Sequence, residues 1–90
     1  MSIRWEQDNI SGVRLRRFIG YATSVVVGVV EYDGSNRLWT WSSPLVEDAW
    51  GHATTEAGAK QGFEAWLAAW LENFRPLFEG LRRDPDEGTA

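Results

Sequence analysis

His52 is the only histidine in the chain, and Glu47 and Asp48 precede it by five and four residues. An imidazole beside carboxylates can serve as a general base or enter a metal site. Both roles need further partners. The chain has a single histidine and no cysteine, which excludes disulfides, thiolate nucleophiles and cysteine-ligated zinc or iron–sulfur sites. A lone histidine in a connecting segment reads as a loop or cap residue. No serine–histidine or lysine-based nucleophile stands out, and Glu47, Asp48, Glu56, Glu64, Glu72 and Glu79 form no convincing catalytic pair. The expectation is a protein that is not an enzyme, with no catalytic residue, metal ligand or cofactor.

Arg14, Arg16 and Arg17, with Arg4 or Arg37 able to join them, form a basic cluster. On a strand they could make a phosphate-contacting edge. The alternative is a solvated face that protects the edge from aggregation. Charge balance weighs against a nucleic-acid partner without excluding it. The net charge is −4, with +1 over residues 1–37 and −5 over residues 38–90, whereas a non-specific nucleic-acid binder carries a basic field.

The third candidate is aromatic. In "RLWTWSSP", Arg37 to Pro44, Trp39 and Trp41 sit two apart, so on a strand they share one face. They are either an exposed stacking platform or core. Six tryptophans in 90 residues each bring on the order of 200 Å² of surface to bury. That helps a domain of this size, which hides only roughly 60–65% of its unfolded surface.

These residues are positioned by short strands in the first half. "IRWEQ" is followed by the turn cluster "DNISG", and "VRLR" alternates cleanly until "RFIGY" breaks the pattern, which predicts a bulge or bend near Arg17. "SVVVGVVEY" is the strongest strand, "DGSN" a hairpin turn and "RLWTWS" its return. With Gly34 and Ser35 at the tip, Val30 faces Trp39 and Gly28 faces Trp41, so that Trp41 covers the strand glycine. Trp39 and Trp41 are then core, sharing a face with Val26, Gly28, Val30 and Tyr32. The opposite face carries Val25, Val27 and Val29, an apolar patch that soluble monomers avoid. Either the N-terminal strand or the C-terminal helix folds over it, or it is an interface.

Residues 45–53 read as a connection with room for one helical turn. Thr54 or Thr55 caps a helix with Glu56 in its first turn. Phe63, Trp66, Leu67, Trp70 and Phe74 form its apolar stripe, beside a stripe of small residues at Gly58, Gly62, Ala65 and Ala69. Glycine costs about 1 kcal/mol in a helix interior, so the backbone there must approach something closely. Lys60, Gln61, Glu64 and Glu72 occupy the polar arc. Pro76 predicts a kink or restart, with "LFEGLRR" continuing as a shorter helix.

The segment "GHATTEAGAKQGFEAWL", Gly51 to Leu67, resembles the double-stranded-RNA-binding domain where a glycine loop leads into its last helix, with Ala59 and Lys60 in place of that family's "AK". RNA-binding members carry consecutive lysines at this helix start, where they contact phosphates. Here those places hold Thr55 and Glu56, only Lys60 is basic, and the family's first helix has no counterpart. The resemblance therefore implies a strand meander followed by a helix, not RNA binding. "GHATTEAGA" also looks like the corresponding segment of HicB-type antitoxins.

The expected architecture is α+β: an antiparallel meander of three to four strands with one long C-terminal helix on one face, kinked or broken near Pro76. Residues 1–83 form one domain and 84–90 a disordered tail. The longest apolar run, Val25–Val30, is far short of the ~20 residues that span a bilayer, no signal-peptide pattern opens the chain, and a cytoplasmic location follows. The expected function is a small interaction domain, a homodimer or the binder of a protein partner. Its interface would draw on Val25, Val27, Val29, Leu77, Phe78 and Leu81. Nucleic-acid association through Arg14, Arg16 and Arg17 is the alternative.

Overall fold

Two residues with positive φ, Ser11 and Gly12, turn the chain between its first two strands. That conformation matches the twist of a two-residue hairpin. A computed structural model describes residues 2–82; the tail expected to be disordered, residues 84–90, lies outside them. Five strands follow in order, β1 (Arg4–Ile10), β2 (Val13–Ala22), β3 (Val25–Asp33), β4 (Leu38–Ser42) and β5 (Trp50–Ala53), then α1 (Glu56–Glu72) and α2 (Arg75–Arg82). The strands form one antiparallel sheet in sequence order, and α1 packs across β3, β4 and β5. The α+β class is as expected, but with five strands and two helices.

The added strand is β5, where a connection was expected. It pairs with β4 from Trp39↔Ala53 to Ser42↔Trp50. Its alternation is steric: a Cβ on Gly51 would lie 2.5 Å from the Trp41 indole, so only glycine lets that ring lie flat against the edge strand.

The β3–β4 hairpin is displaced by two residues from the expected pairing: Val30 faces Trp41 and Tyr32 faces Trp39. Its loop runs over residues 34–37, with Arg37 at φ 56°. The Asp33 carboxylate holds it, accepting bonds from Asn36 Nδ2 (2.7 Å) and the Ser35 amide (3.0 Å). The Asn36 side-chain bond, aided by the backbone amides, lowers the Asp33 pKa from its ordinary value. A shift of two leaves the β4 side chains on their faces, so Trp39 and Trp41 remain on the helix side.

Two irregularities shape the sheet. Between β1 and β2 the register jumps from Gln7↔Phe18 to Asn9↔Arg14, so Leu15, Arg16 and Arg17 together oppose Asp8. This is the bulge expected near Arg17. The Gln7 amide donates to the freed Leu15 carbonyl (2.9 Å) and Arg17 reaches Asp8 (3.1 Å). The second lies in β3, where Gly20↔Gly28 is followed by Tyr21↔Val26 and Val27 is the extra residue. The buried Ser43 hydroxyl donates to the Val27 carbonyl (2.7 Å) and accepts from the Leu45 amide (3.1 Å). Ser43→Ala should therefore lower stability by about 1–2 kcal/mol, the cost of an unpaired buried carbonyl. Urea unfolding with an unchanged m-value checks it.

The core is built of rings standing on glycines. Gly20 and Gly28 are register partners. Trp5 lies over Gly20, while Phe63 stands on Gly28, where a Cβ would meet the ring at 2.4 Å. Phe63 meets Trp5 at 5.6 Å and Trp41 at 6.0 Å between centroids, both edge-on. It forms the buried cluster with Leu67 and Val27. Trp41 thus covers Gly51, and the helix itself fills the hollow at Gly28.

Thr55 caps α1, its hydroxyl accepting from the Gly58 amide (2.9 Å). Gly62 lies against Trp41 Nε1, and Gly58 against the Ala53 methyl, the close approach expected of the small stripe. Ala65 and Ala69 are exposed instead. The buried positions Ala59, Phe63 and Leu67 advance by four, so the contact line drifts about 40° around the helix at each step and leaves the small stripe behind. Lys60, expected on the polar arc, is turned onto the sheet: its ammonium pairs with Glu56 (2.8 Å) and lies 3.9 Å from the centre of the Phe18 ring.

Candidate interaction surface

Alternation dictates that neighbouring residues on a strand point to opposite faces, and the β3 bulge breaks that rule at Val27. The three valines expected to form one patch are therefore parted. Val27 is only 6% exposed, inside the core beside Phe63 and Leu67. Val25 pairs with Ala22, which packs on that same core, so Val25 stands exposed on the helix side. Only Val29 is left on the open face, half-buried, in a row with Glu6, Ile19, Ser42 and Trp50. The next row carries Arg17, Glu31, Thr40 and His52. The expected patch of Val25, Val27 and Val29 is not formed, and Val26, expected on the helix side, pairs with Tyr21 on the open face instead.

The arginines are also divided. Arg16 lies over the Tyr32 ring at 4.5 Å, and Arg14 shares its face by strand alternation. Arg17 points the other way, to Asp8 (3.1 Å) and towards Glu31 (3.8 Å). Arg4 is occupied with Glu6 (2.9 Å) and the Tyr21 ring (4.8 Å), and Arg37 sits in the β3–β4 loop. His52 lies on the exposed face of β5 beside Trp50, with ring centroids 6.3 Å apart. Among the described residues it has no carboxylate partner, and no group of histidine, cysteine, aspartate and glutamate residues could hold a metal ion. Trp50, 68% exposed, was not singled out in the sequence; its signal was the alternation of large and small residues through "WGHA".

The remaining candidates, Leu77, Phe78 and Leu81, come together on α2. The chain enters this helix through a tightened turn in which the Asn73 amide donates to the Trp70 carbonyl and the Phe74 amide to the Leu71 carbonyl. Pro76 follows in the first turn of α2, where its missing N–H costs little. The break expected near Pro76 thus separates two helices. Helical spacing then places Leu77, Phe78 and Leu81 on one stripe with Phe74. They are 56%, 51% and 73% exposed, and among the described residues no strand or helix packs closely onto α2.

This stripe is continuous with the core. Ring contacts run from Trp41 to Trp66 (5.8 Å), on to Trp70 (5.7 Å, stacked) and to Phe74 (5.0 Å, edge-on). Leu71, Glu72, Arg75, Phe78, Glu79 and Leu81 line a groove at the helix junction, and Arg75 bonds to Glu72 at 2.7 Å. Such a surface can desolvate an apolar partner inside a charged rim. Among the described residues no helix is long and apolar enough to cross a membrane.

Comparison with protein-family models, with curated proteins and with solved structures returned no match.

Proposed function

We propose that this chain is a small, non-enzymatic protein-interaction domain that associates with itself through α2. The reading rests on one observation: Leu77, Phe78 and Leu81 are each more than half exposed on a helix onto which, among the described residues, no other element packs closely. A soluble chain that presents a contiguous apolar stripe gains by burying it. Light scattering coupled to size-exclusion chromatography, over a tenfold range of concentration, tests the reading. The expected mass exceeds the 10.2 kDa of one chain, and Phe78→Glu with Leu81→Glu should return it to that value while circular dichroism stays unchanged. A constant mass of one chain would refute it.

A second reading has a narrower basis. Arg14 and Arg16 share the helix-side face with Tyr32 and Trp39, the pairing of cations with aromatic rings that single-stranded nucleic-acid binders use. The same chromatography, read at 260 and 280 nm, distinguishes it. Bound nucleic acid would raise the ratio, and replacing Arg14 and Arg16 together would remove that rise.

A further inference from the structure

A sheet that does not close leaves two edges, and here they differ. The β5 edge is four residues long, and so short an edge offers little to a second chain. The β1 edge runs for seven residues, Arg4–Ile10, without proline or lysine. Among the described residues β2 is its only strand neighbour, and no backbone hydrogen bond reaches its outer side. Its pairing with β2 is regular from Arg4 to Gln7. The side chains also leave the outer side clear: the far end of the Trp5 ring lies over Gly20, and Arg4 leans onto the Tyr21 ring at 4.8 Å. Helix α1 packs across β3, β4 and β5, away from this edge.

The charges on the edge are ordered. Arg4, Glu6 and Asp8 alternate with Trp5 and Gln7, so all three stand on the open face. A second copy added about a two-fold axis brings its β1 antiparallel, and directly opposed residues then share a face. An axis at Arg4, Glu6 or Asp8 sets that charge against its own copy, and an axis at Gln7 sets Glu6 against the partner's Asp8. Like charges directly opposed are destabilising. An axis at Trp5 instead sets Arg4 against the partner's Glu6, and the symmetry repeats the pairing with Glu6 against the partner's Arg4. Arg4 already bonds Glu6 of its own strand through Nε (2.9 Å), which leaves the Nη donors of the guanidinium for a second carboxylate.

We infer that the β1 edge takes β1 of a second copy, antiparallel and centred on Trp5, continuing the sheet with Arg4–Glu6 pairs on its open face. This contact goes beyond the α2 reading and does not depend on it. It pairs Ile3 to Gln7 of each copy, a stretch of roughly 17 Å. That is smaller than the roughly 800 Å² per partner of a standard interface, so the contact forms only at high concentration.

The test uses the Phe78→Glu, Leu81→Glu chain, in which the α2 stripe is removed, and follows its mass by sedimentation equilibrium. The mass should rise above the 10.2 kDa of one chain as the concentration approaches about 1 mM. Adding Arg4→Glu opposes like charges at two symmetric points and should weaken the association about tenfold. Adding Arg4→Glu with Glu6→Arg should restore it, a rescue that a merely structural role would not give. Both side chains are more than half exposed, so the fold tolerates the exchange. A mass of one chain throughout would overturn the edge contact, whereas the α2 reading fails in a different measurement, the chromatography of the unsubstituted chain. Association that Arg4→Glu leaves unchanged would overturn the pairing centred on Trp5.

Discussion

Phe63→Ala is expected to cost about 3–5 kcal/mol, the usual range for removing a buried phenylalanine. The ring is fully buried, and it is the point where α1, β1, β3 and β4 meet: Trp5 and Trp41 contact its edges, Gly28 lies beneath it, and Leu67 and Val27 complete the cluster. The tryptophans are held over Gly20 and Gly51 and Gly28 has no side chain to extend, so these neighbours do little to fill the space. A domain of this size holds on the order of 5–10 kcal/mol of stability, so about half would be lost. Urea unfolding followed by tryptophan fluorescence measures it. A loss below about 1.5 kcal/mol would show that Phe63 does not organise the core.

Gly28→Ala is expected to be almost as damaging for the opposite reason. A methyl group there would lie 2.4 Å from Phe63 Cζ and 2.5 Å from Cε1, so the ring or strand must move. Overpacking of this kind costs about 1–3 kcal/mol, and the upper end applies because Trp5 and Trp41 hold the ring in place. A double-mutant cycle separates this from a general intolerance of alanine on β3. Trimming the ring with Phe63→Leu should offset part of the Gly28→Ala cost, giving a coupling energy above about 0.5 kcal/mol. Additive losses would mean that the clash does not decide the effect. Gly12 is the contrasting site: no atom lies within 4 Å of a Cβ there, but φ is +83°, so what glycine supplies is the backbone turn.

The exposed stripe on α2 belongs to the same structural logic. Ring contacts lead outward from Phe63 through Trp66 and Trp70 to Phe74, so the exposed α2 stripe is an extension of the core and not a separate patch. Substitutions at Leu77 or Leu81 should therefore change mass without changing unfolding of the single chain, whereas those at Trp70 or Phe74 should alter both.

Residues whose patterns are local announced themselves in the sequence. Val13 and Leu15 alternate with Arg14 and Arg16, so β2 and the irregularity after it were legible. Thr55 before Glu56 marked the start of α1, and Pro76 marked its interruption. Trp39 and Trp41 share the helix-side face whichever of the two pairings the hairpin takes, because a strand repeats every two residues and an even shift preserves sides. The α2 stripe was likewise readable from helical spacing alone.

The parts that were not legible depend on contacts distant in the chain. The valine run through Val25, Val26 and Val27 carries no sign of a bulge, since valine suits either face. The bulge exists where the Ser43 hydroxyl, sixteen residues away, meets the Val27 carbonyl and where the Phe63–Leu67 cluster accepts the Val27 side chain. Strand β5 is four residues long, so its large–small alternation is too brief to tell a strand from a connection, and it forms because β4 presents an edge and Trp41 needs a glycine beside it. Lys60 followed the aromatic rings of Trp5 and Phe18 instead of its place on the helical wheel. A periodic pattern records which side of its own element a residue prefers, whereas these outcomes were set by the groups that other elements brought to meet it.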